Sequence, residues 1–324
     1  MLALAVVFLT AAGQITDAQA ASKAVTQTAS KTETHTASKN KKAVLKGFVK
    51  KNGRTYYYQK GERVTGEKKI GKYWYLFNEN GVMQRGFHDV PGKKKICYYD
   101  KNGRRIHGKK TIRGDVCVFN SKTGKLESRI ADITYMGQAR GILINGQWTH
   151  REIVSARSFT YYRLAACGCG LCAAAMAISA KTGRLVLPTR FNSPRYDFTG
   201  TTYKTMFSVK CAKAFGLQGK VTTMTRRQLI DHMLHGRMVI VWVKRSIYGG
   251  GGNTRGGDTG ATGHTHWILI HGYKNGKFAV ADSNNRSQSY VTSGNLKSWF
   301  TFSSHLGAGK KRSYTVISWN KWWE

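Results

Sequence analysis

The chain has 324 residues, with 53 Lys and Arg against 16 Asp and Glu and a net charge of +37. At 41% hydrophobic and 11% aromatic content it is long and apolar enough for two domains with buried cores, which excludes a disordered chain. The charge sets up a positive field that attracts polyanions, and six cysteines are too few for a disulfide scaffold.

Residues 1–20 read as an exported chain's signal peptide, with an apolar run from Met1 to Ala12 and a small-residue cleavage site ending at Ala20. That run is too short to span a membrane, so the expectation is an extracellular protein that is not transmembrane. For an exported chain the polyanions at hand are wall teichoic acids and acidic glycans, and no nucleic acid partner is expected. Residues 21–45 are rich in Ala, Ser, Thr and Lys without apolar period and read as a disordered linker.

Between residues 46 and 126 the chain repeats itself. Gly61, Gly81, Gly103 and Gly124 recur at intervals of about twenty residues, each after an aromatic cluster such as Tyr56-Tyr57-Tyr58 or Tyr73-Trp74-Tyr75-Leu76-Phe77. Each unit reads as an aromatic strand, a polar turn such as Asn78-Glu79-Asn80-Gly81, and a short return. One such hairpin cannot bury its own aromatic face but stacked hairpins can, which predicts an all-β hairpin-repeat solenoid. Cys97 and Cys117 occupy equivalent positions one repeat apart, and a disulfide between them is left open.

The run from Gly71 to Met83 and its three weaker neighbours resembles the cell-wall-binding repeats of choline-binding and glucan-binding surface proteins. That resemblance implies a ligand held against aromatic faces, choline or a sugar, and marks Tyr57, Tyr73, Trp74, Tyr75 and Phe77 as the candidate wall-ligand residues.

Residues 127–157 show no clear period and serve as a connector. Residues 158–324 read as a separate α+β unit. Gly168-Cys169-Gly170 opens a run of helix formers in which Leu171, Ala174, Ala175 and Ile178 mark an inward stripe, Lys181 a cationic last turn and Gly183 the stop. A thiol at a helix start meets unpaired N–H groups and the positive end of the helix dipole, which favour the thiolate. Further on come a helix ending at Gly216, another from Thr225 to Gly236, a strand at Met238–Val243, a glycine-rich loop from Gly249 to Gly263, and a last strand near Tyr314–Trp319. A hairpin about Asn275-Gly276 pairs the strand that opens at His266 with the one that ends near Asp282.

A nucleophilic cysteine needs a base and a group that orients the base. His266 is the candidate base and Asp282 the candidate orienter. An ideal two-residue turn sets Asn285 opposite His266, so either a bulge or longer turn corrects the register, or Asn284 or Asn285 takes the orienting role.

These segments resemble the C39-like secreted branch of the papain-like cysteine peptidases. The resemblance implies a papain-like α+β fold with Cys169 as nucleophile, His266 as general base and Asp282 as orienter, no cofactor and no catalytic metal. It also implies a peptide or peptidoglycan-type substrate. The family carries an oxyanion glutamine a few residues before the cysteine. Here Tyr161-Tyr162-Arg163-Leu164-Ala165-Ala166 has none, which leaves Arg163 as the candidate oxyanion donor. Three readings compete with Cys169 as nucleophile: Cys167 in that role, a zinc site on Cys167, Cys169 and Cys172 with His264 or His266, and an inactive surface-binding protein.

Overall fold

Each aromatic cluster becomes the second strand of an antiparallel hairpin in the computed structural model, which describes residues 44–156, 163–198, 207–222, 224–243, 266–283, 291–292 and 314–318. The expected leader, the linker up to residue 43 and the loop 249–263 lie outside the described residues. Strand β1 (Gly47–Lys51) pairs with β2 (Arg54–Gln59), which returns through the short β3 (Glu62–Arg63). Next, β4 (Gly66–Ile70) pairs with β5 (Tyr73–Phe77), β6 (Gly86–Asp89) with β7 (Ile96–Tyr99), and β8 (Gly108–Ile112) with β9 (Asp115–Phe119).

β5 and β7 pair chiefly with the strand before them and not with the return that the sequence pattern predicts, whereas β9 pairs with both β8 and the return strand. The cause lies in the polar turn. Asn78 Oδ1 accepts the N–H groups of Asn80 and Val82 at 3.1 and 2.9 Å, and this tight Asx turn leaves only a single bridge between Phe77 and Met83. The return then bonds to the preceding hairpin: Met83 N–H donates to Thr55 O and Arg105 N–H to Trp74 O, both at 2.8 Å. Turn glycines complete the stack. A Cβ on Gly103 would sit 2.5 Å from Met83 Sδ, and one on Gly124 would sit 2.6 Å from Arg105 Nε. Buried clusters fill the spaces between hairpins: Tyr75, Phe77 and Met83, then Leu76, Val90, Cys97 and Tyr99, then Phe87, Ile96, Cys117, Phe119 and Leu126. Cys97 and Cys117 are both free thiols in separate clusters, so they form no disulfide.

The chain continues through β10 (Leu126–Ile130) into a small sheet of β11 (Met136–Gly137), β12 (Gly141–Ile144) and β13 (Gln147–Thr149), structure that residues 127–157 did not announce. Helices α1 (Glu152–Ser155), α2 (Leu164–Cys167), α3 (Cys169–Thr182) and α4 (Phe207–Lys213) follow, then β14 (Gln218–Thr222), α5 (Arg226–Leu234) and β15 (Met238–Val243). The remaining strands are β16 (His266–Lys274), β17 (Lys277–Ala281), β18 (Val291–Thr292) and β19 (Tyr314–Ser318). The protein is therefore mostly β-sheet with few helices, and none of the sheets closes among the described residues.

The largest sheet runs β14-β19-β15-β16-β10-β9-β8, with β17 and β18 branching from β16. One edge of β16 pairs with β15 over His266–Ile270 and then with β10 at Gly272 and Tyr273, so the last repeat hairpin joins the same sheet as the downstream strands. Helix α3 packs on this sheet and is buried on all sides. The expected stripe of Leu171, Ala174, Ala175 and Ile178 is buried, but so are Cys172, Met176 and Ser179. A helix apolar all round is an interior helix. Lys181 does not supply the solvated cationic turn that its position suggests. It is buried, its Nζ donates to Gly236 O, and burial pushes its pKa down to about 8. Helix α5 begins with the capping box of Thr225 and Gln228.

Candidate active site

Gly168, with φ −83° and ψ 4°, is the only residue between α2 and α3, and it makes Cys169 the first residue of the long helix. A side chain there is not tolerated, because a Cβ on Gly168 would lie 2.5 Å from Leu164 O and 2.6 Å from Leu164 Cγ. Cys169 thus stands where the helix leaves backbone N–H groups unpaired, and it is 8% exposed. Other thiols lie in different surroundings. Burial pushes the thiol of Cys97 up to about 11 and that of Cys117 to about 12, and it raises Cys211 as well. These sulfurs remain protonated and unreactive near neutral pH. Among the described residues no group of three or more His, Cys, Asp or Glu is placed to hold a metal ion.

The hairpin of β16 and β17 carries one bulge, which shifts the register by a single residue and does not set Asp282 opposite His266. Lys274 pairs with Lys277 and Gly272 with Ala279, but Ile270 pairs with Val280 and Leu269 with Ala281. His271 is the extra residue. One more step along this register aligns Asp282 with Ile268, two positions from His266, where an unbulged ladder would leave three. The backbone of His266 opens β16 opposite Val243; its side chain, like Asn284 and Asn285, lies outside the described residues. Buried His271 secures the bulge: its Nδ1–H donates to Ala131 O at 3.0 Å, and Ala131 N–H donates to His271 O at 3.0 Å. Burial lowers the imidazole pKa to about 4, so the ring is neutral at physiological pH.

Asp282 is 1% exposed, and Tyr135 Oη donates to its backbone carbonyl. Beside it lies a residue that the sequence reading missed. Gln138, 4% exposed, donates from Nε2 to Ala165 O at 3.0 Å, accepts at Oε1 from Ser283 Oγ at 3.0 Å, and donates its backbone N–H to Ser283 O at 3.1 Å. An uninterrupted helix would pair Ala165 O with the N–H of Cys169; here the glutamine side chain takes that carbonyl. Gln138 therefore joins the turn before Cys169 to the segment that bears Asp282. Its distance along the chain from Cys169 leaves no local pattern to mark it. Arg163 stands exposed at the N-cap of α2.

In the repeats the five aromatic candidates divide. Tyr75 and Phe77 are buried, with Met83 and the partly buried Tyr57 and Tyr73 against them. Trp74 is half-buried, with the Arg105 guanidinium 4.8 Å and Lys93 Nζ 5.6 Å from the ring centroid. Arg104 lies 4.2 Å from the Tyr73 centroid, and Arg63 covers Tyr56 at 4.8 Å. Behind them Glu67, its side chain 1% exposed, takes Arg105 at 2.6 Å, Lys95 at 2.9 Å, Lys93 at 3.1 Å and the Tyr99 hydroxyl at 3.1 Å.

Comparison with known proteins gives one family match, to the Peptidase_C39 like family over residues 146–304. None of the curated proteins matches. Among solved structures, choline binding protein F from Streptococcus pneumoniae, determined with a peptidoglycan analogue, shares 24% identity over 32% of this chain and 31% of its own, at a TM-score of 0.24. The choline binding domain of Spr1274 in Streptococcus pneumoniae shares 26% identity over 26% of this chain and 96% of its own, at a TM-score of 0.22. The modular Cpl-1 endolysin, also complexed with a peptidoglycan analogue, shares 20% identity over 32% of this chain and 30% of its own, at a TM-score of 0.22. The chain spans about a third of the length of the choline binding protein F structure that it matches. Residues 146–304, which hold Cys169, the β16–β17 hairpin and Asp282 downstream of the aromatic hairpins, are the part of the chain that is similar to the Peptidase_C39 like family.

Proposed function

We propose that the chain is a secreted, wall-associated thiol hydrolase that cleaves an amide bond in a peptide or peptidoglycan-type substrate. The observation that carries this reading is the Gln138 bridge, which ties the helix start at Cys169 to the Asp282 segment through Ala165 and Ser283. In this reading His266 takes the proton of the Cys169 thiol, and the thiolate adds to the substrate carbonyl. The tetrahedral oxyanion is met by N–H groups at the start of α3, with Arg163 the candidate side-chain donor and Gln138, already bonded to Ala165 O, holding the turn before Cys169. Collapse expels the amine, which leaves with the proton from His266. Water, deprotonated by the same imidazole, then hydrolyses the thioester and restores the thiol. Asp282 orients the imidazole throughout.

The same proposal takes residues 158–324 as a papain-like α+β domain, residues 46–126 as a hairpin solenoid and residues 1–20 as the leader that exports it. The repeats and the positive charge hold the enzyme on anionic or glycan wall polymers, with teichoic acid the candidate from charge and choline or glucan the candidates from the repeat resemblance. Among the described residues no helix is long and apolar enough to cross a membrane.

The test is a wall-digestion and peptide-library assay on the wild type and Cys169→Ala, with thiol labelling followed in parallel. Cys169 should be alkylated at neutral pH at least tenfold faster than Cys211, His266→Ala should remove that advantage, and Cys169→Ala should release no new amines. Equal labelling of Cys169 and Cys211 would sink catalysis and leave the surface-binding protein as the reading.

A further inference from the structure

Asp282 follows directly on the last residue of β17, whose pairing with β16 ends at Leu269 and Ala281 and whose pairing with β18 ends at Val280 and Val291. Among the described residues, strand pairing therefore fixes Ala281 and not its successor. Contacts that do hold the successor come from one short stretch, residues 131–138, which lies before the family match at 146–304 and which the sequence pattern assigns to a connector. Ala131 exchanges two hydrogen bonds with His271 at the bulge. Tyr135 Oη donates to the carbonyl of Asp282. Gln138 donates its N–H to the carbonyl of Ser283 and accepts the Ser283 hydroxyl. The backbone of Asp282 and Ser283 is thus gripped at both carbonyls by residues three apart on the same stretch.

Tyr135 is itself anchored. It is buried, its own carbonyl accepts the Leu143 N–H at 2.9 Å, and its ring meets Trp148 edge to face, with centroids 6.0 Å apart and planes at 72°. Trp148 in turn lies close over Gly137, where a Cβ would come within 3.0 Å of its Cη2. A phenol fixed at its backbone and on its ring presents its hydroxyl at one place, and the carbonyl of Asp282 is set against it.

We infer that Tyr135 is a positioning residue: its hydroxyl fixes the backbone of Asp282 and, through it, the carboxylate that orients His266. The inference rests on the proposed thiol chemistry and extends its machinery upstream of the family match. A carboxylate that holds the imidazole also stabilises the imidazolium, and an imidazolium favours the neighbouring thiolate. Loosening Asp282 should therefore make the Cys169 thiolate harder to form.

The experiment follows alkylation of Cys169 by iodoacetamide against pH in the full chain, read by mass on the peptide that carries it. Tyr135→Phe keeps the ring on Trp148 and removes only the donor. Its profile should move up by about one pH unit, which is about tenfold slower labelling on the acid side. Trp148→Leu, which leaves the hydroxyl but loosens the ring that bears it, should move the profile the same way by less. Tyr196→Phe removes from the same buried cluster a hydroxyl that Arg195 holds at 2.7 Å, and its profile should overlay wild type. In a His266→Ala background Tyr135→Phe should add nothing, because its effect runs through the imidazole. An unmoved profile in Tyr135→Phe or Trp148→Leu, an equal shift in Tyr196→Phe, or a further shift on top of His266→Ala would each overturn the inference. Wild-type Cys169 labelling no faster than that of Cys211 would instead remove the thiol chemistry itself, and the inference with it, so the two failures are told apart.

Discussion

Glu67 shows how a single residue can organise a highly charged repeat. Burial alone would raise its pKa, but hydrogen bonds from Lys95, Arg105 and Lys93 outweigh that effect and bring it down to about 2. A carboxylate with a depressed folded pKa contributes stability above its unfolded value near 4.5, and that contribution fades as pH falls from there towards 2. Glu67→Ala would leave Arg105 buried without its counter-charge and should cost about 3 kcal/mol or more, read as a lower denaturation midpoint at pH 7 that converges on wild type in acid. Gln138→Ala removes one donor and one acceptor beside the segment that bears Asp282. It should lower turnover about a hundredfold while costing only about 1–2 kcal/mol of stability, a contrast that kinetics and thermal unfolding read together. Cys169 and Gln138 differ in how far the sequence announces them. Cys169 is visible because a thiol between glycines before a small-residue helix is a local pattern. Gln138 is not, because its partners Ala165 and Ser283 lie 27 and 145 residues away and no local period marks it. Glu67 is equally hidden, since all four of its partners lie 26 to 38 residues further on.

At the level of elements, the regular spacing of turn glycines made the hairpins legible, and the Asn275-Gly276 turn did the same for β16 and β17. What spacing could not show was which neighbour each aromatic strand would choose, because Asx turns at Asn78 and Asp100 shorten the returns and give the longer ladder to the strand before. Nor could it place the bulge at His271, which depends on a clamp to Ala131 from another strand. Gly124 tests the stacking rule. It has φ 64° and a Cβ there would press on Arg105, so Gly124→Ala adds left-handed strain to a clash with a side chain pinned by Glu67. The expected loss is about 1–3 kcal/mol, measured by chemical denaturation, whereas Gly71→Ala, with φ 57° but open space around it, should lose less.

For the whole molecule, contacts between the repeats and the downstream strands carry a pH dependence. His235, at the end of α5, faces Asp231 on its own helix and Asp89 on β6, at 3.3 and 3.1 Å. Burial pulls its pKa down, but the bonds to Asp231 and Asp89 prevail and raise it above the ordinary histidine value. A raised folded pKa gives stability that is complete below 6.5 and is lost as pH climbs through the folded value. Wild type should therefore exceed Asp89→Asn in thermal midpoint at pH 6 by a margin that disappears by about pH 9.

The shared edge of β16 sets a further limit on the molecule. Gly272 has no side chain because Ile130 Cα would lie 2.6 Å from its Cβ, and through that close approach β10 runs on in line with β15 along one edge. A strand shared in this way carries a displacement of the last repeat hairpin straight into the ladder that begins at His266. Under the proposed wall anchoring, the seating of the repeats would therefore bear on which bonds come within reach of Cys169.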